Sequence, residues 1–248
     1  MDWLGTGDRA GRLPSWSKDS RGSMSEPVDP QISRRDLRAA QKAARDGAWN
    51  EGPPSSLAEV AAGVGLCRRC ELWRDATQGV PGQGPAHAAL MLVGEQPGDQ
   101  EDLAGAPFVG PAGQVLDVGL ERAGVVRAEV FVTNAVKHFK HEQRGKRRLH
   151  KTPDTGEVQA CRWWLGAERL LVRPKVVVAL GATAALAVFG KATPIGANRG
   201  RAIPLPDRSL GLVTYHPSYL LRLPDEAAKK AAFKLFVEDL RLAWGLVA

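Results

Sequence analysis

Cysteine is scarce in this chain, which has three cysteines in 248 residues. Three cysteines cannot all pair with one another, and a reducing compartment opposes disulfides, so a disulfide framework is not expected. The spacing of Cys67 and Cys70 is instead typical of a ligand pair or a redox pair. We therefore expect a cytoplasmic protein in which the cysteines serve chemistry rather than cross-linking.

Long apolar runs are also missing. No run reaches the roughly 18 residues that a membrane helix needs, and the N-terminus lacks the basic and apolar regions of a secretory signal. A membrane partner is therefore not expected. The sequence also contains no internal repeat. With 44% hydrophobic residues, the chain has enough apolar surface for one α/β domain with an extension.

The first 56 residues differ in character from the rest of the chain. Residues 1–30 mix Gly, Ser, Pro, Asp and Arg without periodicity, which is typical of disorder. Residues 33–45 favour a short helix, and the Gly-Pro-Pro-Ser-Ser segment at 52–56 reads as a linker. We predict a largely disordered extension over 1–56 and one folded domain over 57–248.

Within that domain, β-rich apolar runs alternate with helical patterns. The pattern predicts strands at 89–93, 130–133, 175–180 and 210–214, and helices at 113–123, 157–172, 182–189 and 227–244. Such alternation indicates an α/β fold in which a mostly parallel sheet is covered on both faces.

Positive charge is concentrated in one loop, residues 137–151. This loop contains seven lysines and arginines and one glutamate, so its net charge of +6 accounts for most of the +7 of the whole protein. Clustered positive charge suits a polyanion, because each cation that neutralises a phosphate releases condensed counterions. Nucleic acid is the first candidate partner; a solvated patch or a localisation signal is the alternative.

Reactive side chains follow three of the four predicted strands. The motif Gly-Glu-Gln-Pro-Gly at 94–98 follows the first strand, Asn134 and the basic loop follow the second, and Tyr-His-Pro-Ser at 215–218 follows the last. Ligands of open parallel sheets bind beyond the carboxyl ends of the strands. A carboxylate, an amide and an imidazole are therefore expected to converge at one edge, beneath the basic loop.

These motifs resemble the uracil-DNA glycosylase superfamily, specifically its iron-sulfur branch. Segments 94–98, 101–113 and 216–218 carry the likeness. Residues 145–153, Gly-Lys-Arg-Arg-Leu-His-Lys-Thr-Pro, are similar to an insertion in the X-type enzymes, which become covalently attached to DNA. The resemblance implies a three-layer α/β/α fold, a monomer without a nucleotide cofactor, and uracil-containing DNA, in our expectation single-stranded, as substrate.

The resemblance assigns uracil recognition to residues near the strand ends. A base must be flipped from a duplex, or taken from a single strand, before its glycosidic bond is accessible. Phe108 is expected to stack on that base and Asn134 to pair with uracil O4 and N3–H. A core position for Phe108 and a capping role for Asn134 are the alternatives. The expected substrate-binding residues are Phe108, Asn134, Gly94, Gly98 and Ser218.

Cleavage of the glycosidic bond leaves negative charge on uracil and positive charge on the sugar. His216 is expected to donate to uracil O2, as in an oxyanion hole. Glu95 is expected to stabilise the sugar cation or activate a nucleophile, and Gln96 to position the base or that nucleophile. As alternatives, Glu95 only caps a helix and His216 is a turn imidazole bonded to backbone.

The likeness to the X-type enzymes implies that the reaction ends on the protein itself. His150 matches the loop histidine that captures the sugar carbon, and a neutral imidazole is a competent nucleophile. As alternatives, His150 only contacts a phosphate in a conventional, water-using uracil glycosylase, or the chain is a non-enzymatic, metal-stapled nucleic-acid binder. The expected DNA-binding residues are Lys137, Lys146, Arg147, Arg148 and Lys151.

By the same resemblance, the cysteines are assigned to a [4Fe-4S] cluster. The related enzymes have a fourth cysteine where this chain has His138, and imidazole is able to ligate cluster iron. Zinc in the same site, or His141 or water as the fourth ligand, are the alternatives. The predicted ligands are Cys67, Cys70, His138 and Cys161.

Overall fold

The computed structural model describes residues 54–247 of the chain. The helix predicted at 33–45 and nearly all of the predicted extension lie outside the described residues. The first described helix, α1, comprises Leu57–Gly65. It begins where the side chain of Ser56 accepts a hydrogen bond of 3.2 Å from the backbone N–H of Glu59, which is the usual N-cap arrangement.

A five-stranded sheet forms the centre of the domain. Its parallel strands are β1 (Leu90–Gly94), β2 (Val130–Asn134), β5 (Val176–Leu180) and β7 (Leu210–Thr214), and the short strand β6 (Ile203–Pro204) is antiparallel to β7. The strand order is β2-β1-β5-β7-β6. The four parallel strands are almost entirely buried, which explains their continuous apolar sequences. The four predicted strands are thus confirmed, with ends shifted by at most one residue.

Helices cover both faces of this sheet. One buried cluster joins Met91 and Val93 to α1 and to two further helices through Trp164 and Ala184. The other joins Leu90 and Leu92 to the helices on the opposite face. The remaining helices are α2 (Asp99–Ala104), α3 (Pro111–Ala123), α4 (Thr155–Val172), α5 (Ala182–Phe189), α6 (Ile195–Asn198), α7 (Pro217–Arg222) and α8 (Glu226–Gly245). The expected α/β fold with a mostly parallel sheet is therefore confirmed.

The basic segment forms a β-hairpin rather than the predicted loop. Strands β3 (His141–Arg144) and β4 (Arg147–His150) pair antiparallel, with His141 opposite His150 and Arg144 opposite Arg147. Gly145 has a φ of +60°, which a tight turn requires and glycine adopts without steric cost. The hairpin therefore returns the chain to the edge of the central sheet at His150.

Within residues 54–247, no helix combines the length and the apolar character that crossing a membrane requires.

Candidate active site

The carboxyl ends of β1, β2, β5 and β7 form an edge that we call the mouth. The missing side chain of Gly94 allows two predicted residues to meet there. A Cβ at Gly94 would overlap the amide oxygen of Asn134 and would lie 2.6 Å from Cζ of Phe108. The Asn134 amide and the Phe108 ring therefore lie together above the end of β1.

Phe108 adopts a backbone conformation that is unusual for a large side chain. Its φ is +57°, and its ring is buried with its centroid 6.0 Å from that of His216. A Cβ at Gly113 would overlap the Phe108 carbonyl, so α3 packs directly against this turn. Strained backbone of this kind clusters at functional sites. The surrounding backbone thus holds the ring at the mouth. There it lies between Gly94 at the end of β1 and His216, which follows β7.

Glu101 braces the two loops that enclose the mouth. One carboxylate oxygen accepts the N–H of Gly98 at 3.0 Å, and the other accepts the N–H of Gly110 at 2.8 Å. Gly98, which was expected to bind substrate, therefore has its N–H committed to Glu101 at the start of α2. Glu101 belongs to segment 101–113, which carries the family likeness, but its contacts with Gly98 and Gly110 could not be read from the sequence.

Glu95 lies at the centre of the mouth and contacts two side chains. Its Oε1 lies 3.2 Å from Nε2 of His150, and its Oε2 accepts a hydrogen bond of 2.5 Å from the hydroxyl of Thr183. Burial by itself would raise the pKa of Glu95, but the hydrogen bonds from His150 and Thr183 outweigh it and lower the pKa. The carboxylate is therefore kept ionised next to the imidazole.

Thr183 was missed by the sequence analysis. It lies in the first turn of α5, directly after β5. Because ligands bind beyond the carboxyl ends of parallel strands, the residues that follow β5 also belong to the mouth, and Thr183 is among them.

His216 is buried and oriented by the residue two positions further along. Its Nδ1 caps α7 by accepting the N–H of Ser218 at 3.2 Å, and it lies 2.8 Å from the Ser218 hydroxyl. Burial is the main reason that the pKa of His216 falls to about 4, although Glu95 opposes the shift. The imidazole is therefore neutral at neutral pH, and with Nδ1 accepting, its proton is on Nε2.

Ser218 acts on His216 rather than on substrate. Its hydroxyl also accepts a hydrogen bond of 3.0 Å from Arg222. The prediction that Ser218 binds substrate is therefore corrected to an orienting role, because both its backbone N–H and its hydroxyl are taken up by protein groups.

Gln96 holds the base of the hairpin. Its Nε2 donates to the carbonyl oxygens of Lys140 and Lys151 at 3.1 and 3.0 Å, and its Oε1 accepts the N–H of Lys140 at 3.0 Å. The amide is buried, and both of its Nε2 hydrogens are used. Gln96 therefore holds the hairpin that carries the neighbouring His150, and the expected role of positioning the nucleophile stays a prediction.

Arg148 fastens the hairpin to α2. Its guanidinium contacts the carboxylates of Asp99 at 2.6 Å and Asp102 at 2.5 Å, and it donates to the hydroxyl of Thr77 at 3.1 Å. Its side chain is 17% exposed. The prediction that Arg148 contacts phosphate is therefore corrected, because protein carboxylates already neutralise its charge.

Lys137 is completely buried, so the prediction that it binds DNA is wrong. Its ammonium group contacts Glu168 at 2.7 Å, the hydroxyl of Thr133 at 2.6 Å and the carbonyl oxygen of Asn134 at 2.9 Å. A buried cation needs such a complete set of partners, because desolvation would otherwise disfavour the charge. Lys137 thus fixes the backbone at the end of β2, where Asn134 begins the turn.

The other expected DNA-binding cations lie on the solvent side of the hairpin. Lys146 and Arg147 are exposed at and beside its tip. Lys151 forms an exposed ion pair of 2.6 Å with Glu142, and such pairs are weak enough to be exchanged for a phosphate. Their contact with DNA stays a prediction.

The three cysteine thiols lie close enough to influence one another. Burial is the main reason that the pKa of Cys161 rises to about 12, and the neighbouring Cys67 and Cys70 add to that rise. The sulfur of Cys161 accepts the backbone N–H of Lys137 at 3.1 Å, and the sulfur of Cys67 accepts the indole N–H of Trp164 at 3.1 Å. Hydrogen bonds of this kind surround the sulfur ligands of iron-sulfur clusters.

His138 directly follows the residue whose N–H contacts Cys161. It is buried, and burial together with the nearby Arg68 lowers its pKa to about 4, so its imidazole is neutral. No group of three or more Cys, His, Asp or Glu residues in the described part of the chain could hold a metal ion. The [4Fe-4S] cluster and the zinc alternative therefore both stay predictions.

Known proteins share most of the described region. The model of the uracil DNA glycosylase superfamily matches residues 81–241. The chain is 37% identical over 167 residues to a type-4 uracil-DNA glycosylase of Pyrobaculum aerophilum, covering 64% of this chain and 81% of that protein. It is 38% identical over 164 residues to the type-4 enzyme of Thermotoga maritima, covering 66% and 82%.

A third relative is the type-4 uracil-DNA glycosylase of Archaeoglobus fulgidus, which is 34% identical over 176 residues, covering 68% of this chain and 85% of that protein. The region matched by the superfamily model extends from before β1 into α8, and so it contains Glu95, His150 and His216. This chain belongs to the uracil-DNA glycosylase superfamily.

Proposed function

We propose that the protein is a uracil-DNA glycosylase that excises uracil from DNA and then becomes covalently linked to the resulting sugar through His150. The observation that carries this proposal is the distance of 3.2 Å between Nε2 of His150 and Oε1 of Glu95. A conventional glycosylase needs only a carboxylate and water at this position. Here a half-exposed imidazole on the hairpin lies directly beside that carboxylate.

Uracil recognition follows from the geometry of the mouth. The Phe108 ring offers an aromatic face to a flipped base, worth roughly 1–3 kcal/mol of stacking. The Asn134 amide beside it presents a donor and an acceptor to uracil O4 and N3–H. Cytosine carries the reverse pattern at these two atoms, so it would leave both amide groups unpaired.

Two side chains at the mouth, His216 and Glu95, assist cleavage of the glycosidic bond. The bond between C1′ of the sugar and N1 of uracil breaks, and its electron pair leaves with uracil. The Nε2–H of neutral His216 donates to O2 of uracil as negative charge develops there. The Glu95 carboxylate stabilises the positive charge that develops on the sugar.

Capture by His150 completes the reaction. In the His150 tautomer that carries its proton on Nδ1, the Nε2 lone pair forms a bond with C1′ of the sugar cation, after the bond from C1′ to N1 of uracil has broken. The imidazolium formed in this way loses its Nδ1 proton through solvent to the uracil anion, so neutral uracil is released, the linked imidazole is neutral and Glu95 stays a carboxylate throughout. During these steps Thr183 holds the Glu95 carboxylate in place, and Gln96 holds the base of the hairpin.

An iron-sulfur cluster is part of this proposal. Three neighbouring thiols, Cys67, Cys70 and Cys161, and the neutral imidazole of His138 are of the ligand types that cluster iron takes, which supports a [4Fe-4S] cluster held by these four residues. The cluster would supply structural cross-linking between the segment after α1, the end of β2 and α4. Visible absorption together with iron and sulfide analysis of the purified protein tests it, and zinc without sulfide would contradict it.

A turnover glycosylase that uses water is the second candidate. It is favoured by the names of the relatives, which are type-4 uracil-DNA glycosylases. In this candidate the hairpin only holds DNA, and Glu95 activates a water molecule. A non-enzymatic binder is less well supported, because it leaves the convergence of Glu95, Thr183 and His150 unexplained.

One experiment separates these candidates. The full-length protein is incubated with a uracil-containing single-stranded oligonucleotide, denatured, and analysed for released uracil and for a protein band shifted by DNA. The covalent reaction predicts both, turnover predicts uracil alone, and a binder predicts neither. A duplex substrate in the same assay tests the expected preference for single strands.

The matched variants are His150→Ser and His141→Ser. These histidines pair directly across the hairpin, so each substitution removes one imidazole from the same element. We expect His150→Ser to lose the shifted band while uracil release persists, and His141→Ser to retain both. A shifted band of unchanged intensity from His150→Ser would show that another residue is the nucleophile.

A further inference from the structure

A second cleft lies at the opposite edge of the sheet from the mouth. It has a volume of about 870 Å³ and lies between α4, α5 and the amino ends of β5 and β7. A strand of five residues spans about 16 Å, so the sheet itself separates this amino-edge cleft from Glu95 and His216. The volume is in the range of sites that bind small organic ligands.

The lining of the amino-edge cleft is strongly cationic. Asp207 is the carboxylate that lines it, and this group already accepts hydrogen bonds from Arg169 at 2.5 Å and from the Ser209 hydroxyl at 2.7 Å. Within residues 54–247, the other four cations have no carboxylate within ion-pair distance. These are Arg162, Arg173, Lys175 and Arg208.

Two of these arginines have unusual backbone conformations. Among residues 54–247, three non-glycine residues have positive φ angles: Phe108 at the mouth, and Arg173 and Arg208 in the amino-edge cleft, at +53° and +71°. Glycine or asparagine would adopt such angles more readily. Arginine side chains are therefore present at two positions where the backbone alone favours glycine.

Arg169 supplies an independent observation. Its Nε is buried and has no hydrogen-bond partner, and it is the one such side-chain atom in the part of the chain that the structure describes. Buried N–H donors normally have a partner, so one without a partner needs an explanation, and a ligand bound in the cleft would supply one. This donor belongs to a side chain that lines the cleft together with the four cations that have no carboxylate within ion-pair distance among residues 54–247.

The cleft also has apolar lining residues. Ala187, Val188 and Phe189 of α5 line it together with Pro174 and Leu170, which is 58% exposed. A ligand that matches this mixed lining has anionic groups and a flat apolar body. Arginine favours phosphate through paired, planar hydrogen bonds, and its guanidinium plane also stacks on bases.

We propose that the amino-edge cleft binds a nucleoside phosphate, with its phosphates on Arg162, Arg173 and Arg208 and its base against the apolar residues of α5. The nucleoside phosphate is either a free nucleotide or one nucleotide of a nucleic-acid strand. This site is separate from uracil excision, and it does not depend on the proposed covalent reaction.

Equilibrium dialysis of the full-length protein against ATP, inorganic triphosphate, adenosine and a uracil-free dA 12-mer tests the proposal. The main variant is Arg173→Gly/Arg208→Gly, which removes two cations where glycine suits the backbone and should therefore keep the fold. The control is Lys230→Gln/Lys234→Gln, which removes the same charge from the exposed face of α8. Arg162→Ala is a second variant with an ordinary backbone.

We expect ATP to bind more tightly than either triphosphate or adenosine. Removing two cations should weaken ATP binding by at least about tenfold, whereas the control should change it by less than about twofold. Tighter binding of the 12-mer, lost in the same variant, would identify a strand as the source of the nucleotide; tighter binding of ATP would identify a free nucleotide. Triphosphate binding equal to ATP binding, or ATP binding unchanged in both arginine variants, would overturn the proposal.

Discussion

Charged residues at the mouth have partners: Glu95 contacts His150 and Thr183, and Arg148 contacts Asp99 and Asp102. In the amino-edge cleft, by contrast, Arg162 and Arg208 have no carboxylate partner among residues 54–247. Paired charges fix geometry, because each partner limits the rotamers of the other. Unpaired cations instead remain available to an anion that arrives from solvent. The mouth is therefore organised for chemistry on a positioned substrate, and the cleft for binding.

We expect the largest effect from substitution of Glu95, the central carboxylate of the mouth. Glu95→Gln keeps the shape of the side chain but removes the charge that faces the sugar and the His150 imidazole. We expect uracil release and covalent attachment to fall together by about 10³-fold, within the usual range for loss of an electrostatic or general-base group. Single-turnover kinetics on a uracil-containing strand measures both. A variant that retains release within tenfold would show that the charge of Glu95 is not used.

The close approach above β1 is expected to have the next largest effect. In Gly94→Ala, the new Cβ overlaps the Asn134 amide and the Phe108 ring. Overpacking of this kind costs about 1–3 kcal/mol, so we expect uracil excision to fall by up to about 100-fold. Gly65→Ala is the control, because a Cβ at the end of α1 has no neighbour within 4 Å. Equal activity of the two variants would contradict the packing of the base site.

Loss of the hairpin clamp should be smaller and selective. Gln96→Ala removes three hydrogen bonds at the base of the hairpin. At about 0.5–1.5 kcal/mol each, their loss is expected to slow covalent attachment by about 30-fold. Uracil release should fall less, since Glu95 and His216 do not depend on Gln96. Equal losses in the two rates would indicate that Gln96 acts on the base itself.

The smallest predicted effect concerns the pH dependence of the free energy of unfolding. Burial holds the pKa of folded His216 at about 4, below its ordinary value of 6.5. Between these values the unfolded chain binds a proton that the folded protein does not, so stability is complete above pH 6.5 and falls as the pH decreases towards 4.

The measurement is urea denaturation at several pH values in the parent and in His216→Asn. Asparagine keeps the N-cap of α7 but does not titrate in this range. The free energy of unfolding of the variant should fall less steeply, by at most about 1.4 kcal/mol per pH unit. Identical slopes would contradict a neutral His216. Titrating groups that do not interact with His216 cancel in this comparison, whereas Glu95 and His150 interact with it electrostatically and contribute to the difference.

Much of the scaffold could be predicted from the sequence, because buried parallel strands have continuous apolar runs that local composition reveals. The ends of β7 and α5 were predicted to the residue. The hairpin could not be predicted in this way: β3 consists of His, Glu, Gln and Arg, and no apolar face shows the period of a strand. It is held by Gln96, which is 44 residues from Lys140 in the chain.

The roles of charged residues were predictable only in part. The sequence shows that Lys137 belongs to a basic segment, but the three groups that bury it come from β2 and α4. In the same way, Arg148 appears in a run of cations, and its carboxylate partners lie more than 40 residues earlier. A count of charges gives the character of a surface, whereas tertiary contacts decide which charges reach it.

The position of His150 within the hairpin has a consequence for how this part of the molecule tolerates change. His150 lies at the anchored base, opposite His141, whereas the exposed turn at Gly145 and Lys146 lies at the far end of both strands. The base is also held by the side chain of Gln96, which contacts the backbone of Lys140 and Lys151 on both strands, far from the turn. The tip could therefore be lengthened, recharged or used to attach a label while the reactive imidazole keeps its place, so it is a natural point for insertion.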